Sequence, residues 1–93
     1  MDTQNQSSKQ ITLVEIESWL TTYLSELLDV SQDEIDSQAT FDAHGLDSAA
    51  AVGLTGDLAD WLNIDLEPTL LYEYPTIQKL AEFLAVELAA RSK

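Results

Sequence analysis

Apolar residues Leu13, Ile16, Leu20, Tyr23, Leu24 and Leu27 recur at steps of three and four. This spacing predicts an amphipathic helix, capped by Thr12 and ending near Asp29. Residues 29 to 47 lose that period, and 19 residues is a long connection for a small domain. Ser31 and Glu34 have capping-box spacing, so a short helical turn is expected within it. Ile35, Phe41 and Leu46 are its expected anchors in the core. A second helix should start at Asp47 or Ser48 and run to about Leu62, with Asp47 as its cap and Asn63 as its stop. Ala51, Leu54, Leu58, Trp61 and Leu62 give its inward stripe, with Trp61 the expected aromatic anchor. Pro68 opens a short helix to Tyr72, and Pro75 ends it. Thr76 caps a last helix with Ile77, Leu80, Ala81, Leu84 and Leu88 inward. No segment alternates as a strand would. The expected class is all-α, with three main helices, one short helix and a long first loop.

Composition narrows the function. The 93 residues are enough for one domain, and 45% are apolar, as in chains that fold. We expect a disordered polar tail over residues 1–10, a folded domain over 11–90 and a short tail over 91–93. There is no cysteine, hence no disulfide, thiolate metal site or cysteine nucleophile. No apolar run is long enough to span a bilayer, and a cytoplasmic monomer is expected. Seventeen acids face four bases, for a net charge of −13. Fourteen of the acids lie between Lys9 and Lys79, a stretch without another Lys or Arg. Nucleic acid and anionic membranes would be repelled, and a basic protein surface attracted. Charge alone fits mere solubility equally well.

Catalytic constellations are missing. G-L-D-S-A at 45–49 is not the G-x-S-x-G of a nucleophile elbow, and no strand leads into it. His44 is the single histidine, and nothing in the pattern supplies an orienting acid or oxyanion hole. A loop residue bonding locally is its simpler role. Asp29, Asp33, Glu34 and Asp36 cluster without the spacing of a calcium loop. Ser48 therefore lacks a general base in this chain. At a helix start it is either a plain serine or a hydroxyl that another enzyme modifies, and free backbone N–H groups there suit an anion.

Two segments carry a family resemblance. "FDAHGLDSAAAVGL", residues 41 to 54, resembles the G-L-D-S motif of acyl carrier proteins. "LLYEYPTIQKLAEFL", residues 70 to 84, is similar to the closing segment of polyketide-synthase carrier domains. The likeness covers about residues 11 to 90. It implies a four-helix bundle and a non-catalytic carrier. It also implies 4′-phosphopantetheine esterified to Ser48 by a phosphopantetheinyl transferase using Mg²⁺, with acyl cargo held as a thioester. Asp47 matches the acid before the modified serine. Leu46 favours an acyl carrier over a peptidyl one, which usually has G-G-H/D-S. The second helix is the family's docking face. Leu46, Ala49, Val52, Gly53, Gly56, Asp57 and Asp60 are the expected contact positions. Gly53 replaces a residue that is usually acidic, and Gly56 one often larger. They mark either close packing against another helix or a shallow face cut for one partner. "GLDSAAAVGLTGDLADWL" is also similar to carriers fused to, or encoded with, bacterial fatty acyl-AMP ligases. That implies a fatty acyl starter loaded by such a ligase and passed to a ketosynthase or tailoring enzyme. The Met1 start and short C-terminal tail lead us to expect a free-standing carrier. An unprimed acidic interaction module and a serine hydrolase are the competing readings.

Overall fold

The first helix, α1, spans Leu13–Leu28, and its ends follow from side-chain chemistry. Thr12 Oγ1 accepts from the Glu15 N–H at 3.2 Å, and Glu15 Oε1 accepts from the Thr12 N–H at 2.8 Å. This reciprocal box satisfies two otherwise unpaired donors. Asp29 takes a left-handed conformation (φ 59°) and stops the helix. The computed structural model describes residues 11–91. The expected tail over residues 1–10 lies outside them, as do residues 92–93.

A single 3-10 turn at Gln32–Glu34 breaks the long loop. Ser31 precedes it but makes no side-chain cap, so only the position of that turn was legible. Helix α2 spans Ser48–Leu62, α3 spans Leu70–Glu73 and α4 spans Ile77–Arg91. Regular helix in α3 starts later than Pro68. The N–H groups of Leu70, Leu71 and Tyr72 reach back to Glu67, Pro68 and Thr69, three residues each, so the segment opens as a tight turn. Thr76 Oγ1 accepts from Lys79 N–H at 3.1 Å at the start of α4. That helix runs to Arg91, one residue past the expected domain boundary.

All four helices contribute to one core. Ile16, Leu20 and Leu24 come from α1, and Ala51, Leu54, Leu58 and Leu62 from α2. Leu71, Ile77, Leu80, Ala81 and Leu84 complete it with Phe41 and Leu46 of the loop. The α1 and α4 backbones approach most closely. Ile35 and Leu88 are only partly buried, and Leu27 is 46% exposed beyond the end of the core.

Trp61 corrects the expected α2 stripe. At 100° per residue it lies about 80° from the line through Ala51, Leu58 and Leu62. It is half-buried at the edge and stacks on Trp19, with centroids 5.3 Å apart and planes 9° from parallel. Thr55 takes the inward place, 2% exposed, and its hydroxyl donates to Ala51 C=O at 2.7 Å. That bond removes the cost of burying the hydroxyl.

The loop is ordered by backbone stitches to the α3–α4 connection. Phe41 N–H donates to Pro75 C=O at 2.8 Å, and Gln78 N–H donates to Ser37 C=O at 3.0 Å. Thr40 and Thr76 form an isolated antiparallel bridge between these bonds. The long connection thus satisfies its polar backbone without a sheet. Among the described residues no helix is long and apolar enough to cross a membrane.

Candidate functional site

The approach to α2 is a chain of local constraints. His44 Nε2 accepts from Asp36 N–H at 3.1 Å, and His44 Nδ1 lies 3.0 Å from Thr40 C=O. An accepting Nε2 assigns the proton to Nδ1, which donates to that carbonyl. Gly45 follows at φ 91°, a conformation that favours glycine. This turn sends Leu46 inward and leaves Asp47 at the helix cap. Asp47 Oδ1 accepts from Ala50 N–H at 2.8 Å, and Asp47 C=O accepts from Ala51 N–H at 2.8 Å. Ser48 is then the first helical residue.

Ser48 is exposed, and among the described residues its hydroxyl makes no hydrogen bond. The N–H groups of Ser48 and Ala49 precede the first intrahelical bond and are not taken by Asp47. Beside the hydroxyl lies an open groove of about 490 Å³ between the loop, α2 and α3. Phe41, Leu46, Ala51 and Leu71 give it an apolar floor, with Asp42 and Asp47 at the rim. Tyr72, 71% exposed, stands on the α3 side. Both nitrogens of His44 are engaged, so it gives Ser48 no base. Among the described residues no group of three acids, histidines or cysteines could hold a metal ion.

This arrangement fits a phosphodiester on Ser48. The Ser48 hydroxyl is reachable and, among the described residues, unpaired. Two backbone N–H groups at the positive end of the α2 dipole are available to an anion there. The groove gives a long polar chain somewhere to lie.

The remaining expected site residues share the solvent side of α2. Ala49, Val52 (54% exposed), Gly53, Gly56, Asp57 and Asp60 are all exposed. Leu46 is the exception. It is 8% exposed and belongs to the core, because the Gly45 turn points it inward; what remains of its surface faces the groove beside Ser48 and not the solvent side of α2. Two residues at the site escaped the sequence reading. Tyr72 was read only as the end of a short helix. Tyr23, placed on the inward stripe of α1, instead donates its hydroxyl to Asp57 Oδ2 at 2.7 Å. The same hydroxyl comes close to Gly53, where an added Cβ would sit 3.9 Å from the phenol oxygen. Burial first, then the hydrogen bond and charge of Asp57, push the Tyr23 pKa from 10.0 up to about 12. No such signal is visible in the period of α1, since Tyr23 occupies a regular apolar position.

Residues 18–84 match the family model described as "Phosphopantetheine attachment site". The chain is 32% identical over 77 residues to the acyl carrier protein TtuC of Teredinibacter turnerae, covering 83% of this chain and 88% of that protein. It is 31% identical over 83 residues to polyketide synthase PksL of Bacillus subtilis, spanning 89% of this chain and 2% of that much longer protein. Among solved structures, a free-standing peptidyl carrier protein from an Acinetobacter baumannii secondary metabolic pathway superposes with a TM-score of 0.79 at 39% identity. The match covers 83% of this chain and 96% of that one.

Proposed function

The chain belongs to the phosphopantetheine-attachment family of carrier proteins, and from that premise we propose that Ser48, in a domain spanning residues 11–90, carries an acyl group into polyketide or mixed polyketide–peptide synthesis. Carriers of this family hold 4′-phosphopantetheine covalently and do not themselves catalyse. One observation carries the assignment of Ser48: an exposed hydroxyl without a hydrogen bond at the first position of α2. The group, once attached, supplies the thiol that this cysteine-free chain lacks.

The roles of the chain's own residues follow. Ser48 Oγ is the acceptor, and its proton leaves to a base of the transferase, since His44 is engaged elsewhere. Asp47 fixes the start of α2 and so the direction in which Ser48 points. Val52, Gly53, Gly56, Asp57 and Asp60 form the face that transferase, loading enzyme and acceptor meet in turn. Leu46-Asp47 before Ser48, and the likeness of 45–62 to ligase-associated carriers, support a fatty acyl starter loaded by a fatty acyl-AMP ligase. A peptidyl carrier is the second reading, favoured by the 39% identity to the Acinetobacter structure.

Intact mass tests both levels. With coenzyme A, Mg²⁺ and a broad-specificity phosphopantetheinyl transferase, the chain gains one phosphopantetheine, and Ser48→Ala gains none. A variant that still gains it rules out Ser48, and an unmodified wild type leaves the acidic interaction module. The holo chain then accepts fatty acids from an acyl-AMP ligase with ATP. Loading by amino-acid-activating enzymes alone would establish the peptidyl reading.

A further inference from the structure

The seam between α1 and α2 carries an aromatic ladder away from Ser48. Trp19 stacks on Tyr23, 5.1 Å between centroids and 22° between planes, and on Trp61 at 5.3 Å and 9°. Tyr23 reaches Asp57 while Trp19 reaches Trp61, so the two helices run in opposite directions along the seam. Each tryptophan has an acid four residues earlier on its own helix, Glu15 before Trp19 and Asp57 before Trp61, and so on the same side. The indoles line an open pocket with Val14, Ser18 and Thr22, and Val14 is 70% exposed.

Trp19 and Trp61 pack against the core on one side and stay half-exposed on the other, so part of each indole is left without an apolar partner. Their chemistry selects an occupant. Indole faces attract guanidinium groups, and Glu15, which lines the same pocket, adds a carboxylate. A second copy of this chain is opposed by the net charge of −13. The described cations, Lys79 and Arg91, both lie on α4. We propose that the Trp19–Trp61 pocket is a second docking surface, which takes an arginine-bearing amphipathic helix of a partner protein. Its apolar face covers Val14 and the indoles, and its arginines meet the tryptophans and Glu15.

The placement gives this surface a use. Trp61 lies 13 residues beyond Ser48 along α2, roughly 20 Å at 1.5 Å per residue. A helix held there leaves the hydroxyl and its groove uncovered. The carrier can then be retained by one partner while Ser48 and the groove face another enzyme. The inference does not rest on Ser48 being the acceptor, because the surface exists in the unmodified chain.

The test uses the isotope-labelled apo protein and a synthetic helical peptide of leucine and arginine, with its leucine–glutamate counterpart as control. At low salt the Leu–Arg peptide shifts the NMR signals of both indole N–H groups and of Val14, Ser18 and Thr22, and leaves the Ser48 amide in place. Val14→Lys weakens this binding about tenfold or more. Trp61→Leu, which keeps an apolar side chain but removes the π face, weakens it as well. Shifts centred on Ser48 and Val52, equal binding of the glutamate peptide, or an unaffected Val14→Lys variant each overturn the proposal. Concentration-dependent shifts without peptide make the occupant a second copy and overturn it too.

Discussion

Tyr23 shows how one side chain joins packing to titration. Its hydroxyl bonds Asp57 and its pKa rises to about 12, with burial the largest cause. The folded state therefore holds the phenolic proton more tightly than the unfolded chain does. That contribution is fully present below pH 10 and is lost as pH climbs from about 10 through about 12. We expect denaturant unfolding to show the wild type weakening over this window, with a shallower fall in Tyr23→Phe. Ultraviolet titration should assign the last of the three tyrosines to ionise to Tyr23. Asp57→Asn should bring that step part of the way down, since burial remains. A Tyr23 that ionises with the other two would remove the contact. The residue scale is also where sequence reading was most uneven. Asp47 as cap and Ser48 as an exposed residue at the start of α2 were legible, because capping chemistry is local. Leu46 is buried as expected of a loop anchor, and the backbone of Gly45 turns it away from the exposed α2 face on which the other expected contact positions lie.

Among the elements, α2 holds Ser48 and the proposed docking face, and its two glycines are its weakest points. Glycine costs a helix interior up to about 1 kcal/mol relative to alanine. The sequence left close packing and an open docking face as equal explanations. An added Cβ at Gly56 would meet nothing within 4 Å, and at Gly53 only the Tyr23 hydroxyl at 3.9 Å, an ordinary contact. Both positions are exposed, so no neighbouring helix requires them to be small. Gly53→Ala and Gly56→Ala should each raise stability by roughly 0.5–1 kcal/mol in denaturant or thermal melts. If the low relief is used by a partner, the same variants load or transfer acyl groups more slowly. Unchanged transfer would make the glycines incidental, and a lower melting point would contradict the open geometry. Helix boundaries were legible because Thr12, Asp29, Asp47 and Asn63 stop or start helices by local chemistry. The α2 stripe was legible except at its edge. Thr55 and Trp61 exchange expected places there, because inclusion in the core follows angle before hydrophobicity.

The whole molecule carries a net charge of −13, and among the described residues the cations lie on one helix. Lys79 and Arg91 sit on α4, while no Lys or Arg interrupts α1, the loop, α2 or α3. Such a distribution acts on encounter: it attracts a basic enzyme surface to the α2 side and repels a second copy of this chain. Asp57→Lys with Asp60→Lys should therefore slow loading by transferase and acyl-loading enzyme at low salt. The difference should shrink as salt rises, because exposed charges are screened beyond about 10 Å at about 0.1 M. Asp57 has a second role that must be separated from this one, since the substitution also removes its bond to Tyr23. Tyr23→Phe supplies the control, losing the bond while keeping the carboxylate. If charge steers the encounter, Tyr23→Phe loads like the wild type, and the double lysine variant loads slowly with a strong salt dependence. If the seam matters instead, Tyr23→Phe and Asp57→Lys slow loading alike, independently of salt. Rates for all four proteins at two salt concentrations decide between them, and equal rates at low salt would remove the acidic face as a docking surface.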